Sequence, residues 1–145
     1  MFTAIYPASF IRESDGGGFH VRFPDLPEAL TGGDNLRHTR VQAADCLAEA
    51  IAGRIKRGDE IPLPSKPKRG QHLIGVPLYL APKLALYLGM RELGIRNTEL
   101  ARRLGVSETV VRRMPDPRHD TKPEKIEAAL AALGKRIVVT FEDAA

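Results

Sequence analysis

The stretch from Gly94 to Met114, GIRNTELARRLGVSETVVRRM, constrains the fold more than any other part of the chain. It reads as two short helices joined by a tight turn. Asn97 is placed to cap the first helix, Leu100, Ala101 and Leu104 form its apolar stripe, and Gly105 supplies the left-handed backbone that turns a chain after a helix. Ser107 starts the second helix. Ala101 has to be small, because helices that cross steeply through a turn of about four residues bring their backbones close there. Val106 and Val111 are expected to bury one side of the second helix, which turns Glu108, Thr109, Arg112 and Arg113 outward. Outward side chains of these types suit the edges of base pairs and the phosphates beside them. Thr109 and Arg112 are the expected base readers, with Arg113 as a second bidentate donor for guanine. Asn97 and Thr98, at the start of the first helix, suit a backbone phosphate. Ser107, Glu108 and Lys122 complete the expected DNA-binding set, and Arg102, Arg103 and Arg118 are either phosphate contacts or simply solvated.

The residues after this motif close a helical unit. Pro115 and Pro117 in MPDPRHD cannot donate backbone hydrogen bonds and stop the second helix. Thr121 to Glu124 has the spacing of a capping box, which opens a further helix with Ile126, Ala129, Leu130 and Leu133 inward and Gly134 at its end. Lys135 to Phe141, KRIVVTF, is strand-like. A lone strand needs a partner, and its twin in a second protomer is the simplest one, so Ile137, Val139 and Phe141 are the expected dimer contacts. Before the motif, Pro82 is well placed to begin a helix running to about Leu93, where Gly89 implies a close helix contact.

The N-terminal half has the period of strands. Phe2, Ala4, Tyr6 and Phe10 alternate, Ser14 to Gly18 is a hairpin turn, and Phe19, Val21 and Phe23 alternate again. Pro24 to Pro27 interrupts the ladder, and a third short strand is expected near Leu30 to Gly33. Asn35 then caps a long helix whose stripe is Leu36, Ala43, Ala44, Leu47, Ala48, Ile51 and Ile55, with Gly58 at its end. Ile61 to Gly70 is rich in Pro, Lys and Gly and reads as a linker. His72 to Leu80 could be one more strand in either half.

Charge divides unevenly. Met1 to Ser65 holds 7 Lys and Arg against 9 Asp and Glu, net −2, whereas Lys66 to Ala145 holds 15 against 9, net +6. A basic half suits a polyanion, and an acidic half suits a basic protein. The single cysteine, Cys46, excludes an internal disulfide framework and fits a reducing, cytoplasmic setting, and its helical surroundings point to a small buried hydrophobe. No window offers the roughly 20 apolar residues needed to span a bilayer.

Both halves carry a resemblance to a known family. Tyr6 with Pro7, then DGGGFHVRFPDLPEALTGGDNL, then a helix ending in RGDEIPLPS, resembles the N-terminal domain of the HicB antitoxins. The block from Ala85 to Val139 is similar to the Xre-like helix-turn-helix domain that many of them carry. Together the two cover nearly the whole chain. The resemblance implies an α+β protein, with a partial ribonuclease-H-like antiparallel sheet and one long helix over residues 1–62, a linker over 63–72, and a helix-turn-helix and dimerising strand over 73–145. It implies a HicA-type mRNA-cleaving toxin as protein partner, operator DNA as the other, and a homodimer or higher even-numbered oligomer. Pro115 departs from the Leu-Leu-Asp-Pro-Arg-His common in relatives, which leaves the length of the second helix open. The basic LRHTR stretch around His38 likewise departs from acidic relatives.

Such a toxin carries a basic RNA-binding face, so Asp15, Asp25, Glu28 and Asp34, with Phe23 beside them, are the expected toxin contacts, the acids acting as phosphate mimics. Catalysis is not expected. Ribonuclease-H chemistry needs a cluster of carboxylates holding two metal ions, one acid coming from the first strand, and Phe2 to Arg12 has none. His20, His38, His72 and His119 lack metal-ligand spacing, so no metal or cofactor is expected. The competing reading is a stand-alone helix-turn-helix regulator whose N-terminal domain senses a small molecule.

Overall fold

Strand β1, Ile5–Arg12, is the centre of the first half. Its even-numbered side chains Tyr6 and Ala8 are fully buried. The Ser14 to Gly18 hairpin returns the chain as β2, Phe19–Arg22, with Phe10 opposite Val21 and Arg12 opposite Phe19. The positive φ of Gly18, 126°, lets it pass against the Gly33 carbonyl, where a Cβ would collide. Strand β3, Leu30–Gly33, pairs with β2 as predicted. Helix α1, Leu36–Arg57, begins where the Asn35 side chain accepts from the His38 amide and ends at left-handed Gly58, both as the spacing predicts. Its buried stripe is Thr39, Ala43, Leu47, Ala48, Ile51 and Ile55. Thr39 takes the place expected for Leu36, which is largely exposed, because its hydroxyl is satisfied by the Asn35 carbonyl at 2.6 Å.

Strand β4, His72–Gly75, pairs antiparallel with β1, Tyr6 lying opposite Ile74, and the sheet order is β3-β2-β1-β4. The segment before β4, expected as a linker over 63–72, is instead strapped to this sheet. The Tyr6 hydroxyl donates to the Pro62 carbonyl at 2.8 Å, the Ser65 amide and hydroxyl both donate to Asp25, and the Gln71 amide group donates to Ser9. The chain divides into compact units at Met1–Ala81 and Pro82–Ala145. With Lys66, Lys68 and Arg69 counted in the first unit, Lys and Arg stand against Asp and Glu at 10 to 9, net +1, and in the second at 12 to 9, net +3. The electrostatic contrast is therefore local to particular surfaces rather than a property of whole units.

The second unit contains α2 (Ala81–Leu93), α3 (Asn97–Leu104), α4 (Glu108–Arg113) and α5 (Pro123–Ala132). Leu86, Met90, Leu100, Ala101, Val111, Met114, Ile126, Ala129, Leu130 and Leu133 form its core. The close neighbour of Gly89 is not a crossing helix: a Cβ there would lie 3.2 Å from the Lys135 side chain and 3.6 Å from that of Leu133. Two caps differ from expectation. Arg96 rather than Asn97 precedes α3, and Lys122 precedes α5 with Pro123 as its first residue, so the Thr121 hydroxyl instead meets the His119 ring at 2.8 Å. Val106 is partly exposed because it sits in the turn, its amide donating to the Ala101 carbonyl. The strand expected over Lys135 to Phe141 is absent among the described residues of the single chain, since nothing there offers it a ladder. Ile137 packs on the core, while Val139 and Phe141 stand 78% and 99% exposed. The computed structural model describes residues 1–144.

Candidate functional site

Two surfaces carry the chemistry, one in each unit. In the second unit, α3 and α4 meet at the Gly105 to Ser107 turn. Gly105 has φ 68°, and the Ser107 hydroxyl accepts from the Val110 amide at 3.3 Å. Ala101 and Val111 bury the inner side, leaving Arg112 and Arg113 exposed and Glu108 and Thr109 half-buried on the outer side. Arg112 lies 3.7 Å from Glu108, whose other carboxylate oxygen is buried without a hydrogen-bond partner among the described residues. No ion pair joins Arg113 or Lys122 among the described residues. Arg102 and Arg103 both grip Glu99, at 2.7 and 3.0 Å, and these bonds hold the Glu99 carboxyl below its ordinary range. A phosphate would have to compete for those two arginines. Asn97 and Thr98 occupy the first turn of α3, and Pro115 follows directly on buried Met114, so α4 is only six residues long.

The acids expected to meet a protein partner do not form one patch. Arg12 opposite Phe19 and Phe19 opposite Gly33 put Asp15 and Asp34 at one end of the sheet. Arg22 opposite Leu30 puts Asp25 and Glu28 at the other end, about 10 Å away along β2. Each acid also has a local task. Asp15 accepts from the Gly17 amide at 2.7 Å, Asp34 lies 3.6 Å from the His38 ring, and Asp25 takes both donors of Ser65. Glu28 is bound by Arg54, which holds its carboxyl down at about 2. Phe23, expected as a contact, is 1% exposed and belongs to the core. Beside Asp25, burial pushes the Tyr6 phenol up to about 12, and the Asp25 charge adds to the shift.

A surface that sequence reasoning missed lies along β3. An open groove of about 530 Å³ runs between this edge strand and α1, lined in part by Glu28, Leu30, Asp45, Cys46, Glu49 and Arg57. Asp45 and Glu49 are exposed one helical turn apart, and Leu30 stands 62% exposed beside them. Ala29, Ala50 and Gly53 in its lining are small and leave that space open. In the sequence Asp45 and Glu49 look like an ordinary solvated helix face. Burial and the neighbouring carboxylates Glu49 and Glu28 push the Cys46 thiol up, against thiolate chemistry there.

The histidines are engaged separately. His20 meets Glu13, His38 accepts from the Asp34 amide, His72 stacks on Phe10 with ring centroids 4.1 Å apart, and His119 meets Thr121. Among the described residues no three His, Cys, Asp or Glu side chains are grouped to hold a metal ion.

Known proteins place this architecture. A family model described as a HicB-like antitoxin of bacterial toxin-antitoxin systems matches residues 5–85. The chain belongs to the HicB-like antitoxin family. It is similar to Antitoxin HicB 2 of Photorhabdus laumondii, with 39% identity over 132 residues that cover 91% of this chain and 92% of the relative. Antitoxin HicB 1 of the same organism is 34% identical over 94% of this chain and 86% of its own length. Antitoxin HicB of Escherichia coli K12 is 35% identical over 91% and 95%. A HicB-like antitoxin acts within a toxin-antitoxin system, and this family is a regulatory one.

Proposed function

We propose that the protein neutralises a HicA-type, mRNA-cleaving toxin by covering its RNA-binding face, and represses its own toxin and antitoxin genes through α3 and α4. The observation that carries this reading is the extent of the similarity, 91% to 94% of this chain against the HicB antitoxins of Photorhabdus and Escherichia coli, which takes in both compact units. Toxin binding falls to the first unit, a partial ribonuclease-H-like domain without an acid in β1 and hence without catalysis. There the carboxylates of Glu28, Asp45 and Glu49 flank an unpaired strand edge, a surface suited to cationic side chains.

DNA binding falls to the second unit, a helix-turn-helix in which Thr109 and Arg112 read base edges. Asn97, Thr98, Ser107, Glu108, Arg113 and Lys122 set its register on the duplex. Val139 and Phe141, exposed on the single chain, support pairing with a second copy, which would bring two such helices onto one operator. No helix of the described residues is long and apolar enough to cross a membrane, and the protein acts in the cytoplasm beside its operator. A small-molecule sensor would call for an enclosed apolar pocket, and the groove of the first unit is open and lined by carboxylates.

The test is expression of the basic reading frame adjoining this gene, alone and together with this protein. Growth arrest that the protein relieves, with the two proteins copurifying and the promoter fragment retarded in a gel, is the expected result. Arrest that persists on co-expression refutes the toxin reading, and an unretarded promoter refutes the DNA reading.

A further inference from the structure

Near the start of α2 is a lysine that the helical periodicity does not single out. Lys83 is 5% exposed, and its Nζ donates to the backbone carbonyl of Asp116 at 2.5 Å and to that of His119. Burying an ammonium is unfavourable unless its donors are satisfied, and here the acceptors are two carbonyls of one turn. Burial draws the Lys83 pKa down while the charges of Asp116 and Asp120 oppose that shift.

Short-range bonds close the turn, and the His119 carbonyl also accepts from the Thr121 amide, but Lys83 is the tie from α2. Pro115 and Pro117 contribute no amide donors. The Asp116 amide donates to the Arg113 carbonyl, the Arg118 amide donates to the Asp116 carboxylate, and the His119 amide donates to the Asp116 carbonyl. The Asp116 carbonyl thus takes both the closing bond of the turn and the Lys83 ammonium. Exposed cations lie before the turn, Arg112 and Arg113, within it, Arg118, and after it, Lys122.

We propose that Lys83 is the positioning residue of the DNA-facing surface: by holding the Asp116 and His119 carbonyls it sets where Arg118 meets the phosphate backbone after α4 ends. This rests on the DNA-binding reading. Lys83 itself touches no nucleic acid and acts through the turn, so its effect on affinity must pass through Arg118. Removing Arg118 should therefore erase most of what Lys83 contributes, which a residue serving only general stability would not show.

The experiment measures binding of the full chain to its promoter fragment by fluorescence anisotropy, for the wild type, Lys83→Met, Arg118→Ala and the double variant. Thermal melts and trypsin cleavage after Arg118 are recorded alongside. Lys83→Met is expected to weaken binding about tenfold, to lower the dependence of affinity on salt by about one phosphate contact, and to speed cleavage after Arg118. The double variant is expected to bind no more weakly than Arg118→Ala. Where Lys83→Met fails to fold, Lys83→Arg, which keeps the charge but not the seat of the ammonium, goes through the same cycle with the same expected coupling. Wild type that binds with Lys83→Met binding equally tightly, or additive losses in the double variant, would overturn the proposal. Wild type that binds no promoter fragment ends the DNA reading itself and this inference with it.

Discussion

Arg54 holds Glu28 through two parallel hydrogen bonds, Nε to one carboxylate oxygen at 2.6 Å and a terminal nitrogen to the other at 2.8 Å. Its remaining terminal nitrogen donates to the Glu60 carbonyl, so one guanidinium ties the loop before β3 to the segment after α1. Those hydrogen bonds hold the Glu28 carboxyl at about 2 against an ordinary 4.5. Between these values the unfolded chain binds the proton more readily, so stability rises with pH there: the contribution is complete above about 4.5 and lost as pH falls through about 2. Glu28 is 40% exposed and solvent screens the pair, which limits it to about 1 kcal/mol. Glu28→Gln is expected to flatten the dependence of melting temperature on pH between those limits, and melts that fall as steeply as the wild type would count against it.

Gly33 shows how closely β3 lies on α1. A Cβ there would stand 2.5 Å from the Thr39 hydroxyl oxygen and 2.6 Å from the Thr39 Cα, and the helix backbone cannot swing aside as a side chain would. Gly33→Ala should destabilise the protein by about 1 to 3 kcal/mol and loosen the groove beside β3. Urea unfolding that leaves the midpoint unchanged would show that the strand and helix separate at little cost.

Local chemistry was legible in the sequence where a residue acts on its neighbours. Asn35, Gly58, Gly105 and Ser107 cap or turn the chain where spacing placed them, and the alternation of Phe19, Val21 and Phe23 marked a face on which Val21 and Phe23 are buried and Phe19 half-buried. That same alternation argued against Phe23 as a surface contact. What the sequence hid depends on residues far apart in the chain. Proline and lysine composition made Ile61 to Gly70 read as a spacer, but Tyr6, Asp25 and Ser9 supply hydrogen-bond partners 40 to 62 residues away. The strand register separates Asp15 and Asp34 from Asp25 and Glu28, and Asp45 and Glu49 line a groove only because β3 lies beside α1.

Asp45 and Glu49 carry the next prediction. Both are exposed on the groove and neither enters an ion pair among the described residues, so reversing their charge should leave the fold intact. The double variant Asp45→Lys, Glu49→Lys is expected to bind the toxin about tenfold more weakly in a calorimetric titration at low salt, with promoter binding unchanged. Asp15→Lys with Asp34→Lys, at one end of the sheet, should do less. A larger loss from that second pair would move the toxin away from the groove.

Arg112 and Lys122 are expected to fail in different ways. Arg112 projects from α4, where a bidentate contact to guanine discriminates by about 1 to 3 kcal/mol. Lys122 precedes α5 and suits a phosphate. Arg112→Ala should flatten the preference of the protein for its promoter over scrambled DNA. Lys122→Ala should weaken both alike and reduce the salt slope by about one. Competition gels in which the two variants behave identically would remove the assignment.

The C-terminal segment bears on assembly. Phe141 is 99% exposed and Val139 78%, whereas Ile137 packs against the core of the second unit and anchors the start of the segment. Two such segments paired antiparallel about a two-fold axis would satisfy each other's backbone groups and cover both apolar side chains, the geometry a palindromic operator requires. Phe141→Asp would place a charge in that pairing without touching the core. The variant is expected to sediment as a smaller species and to lose most of its promoter affinity, because one helix-turn-helix then binds without its twin, while toxin binding through the first unit continues. A variant that sediments and binds promoter as the wild type does would assign the dimer to some other surface.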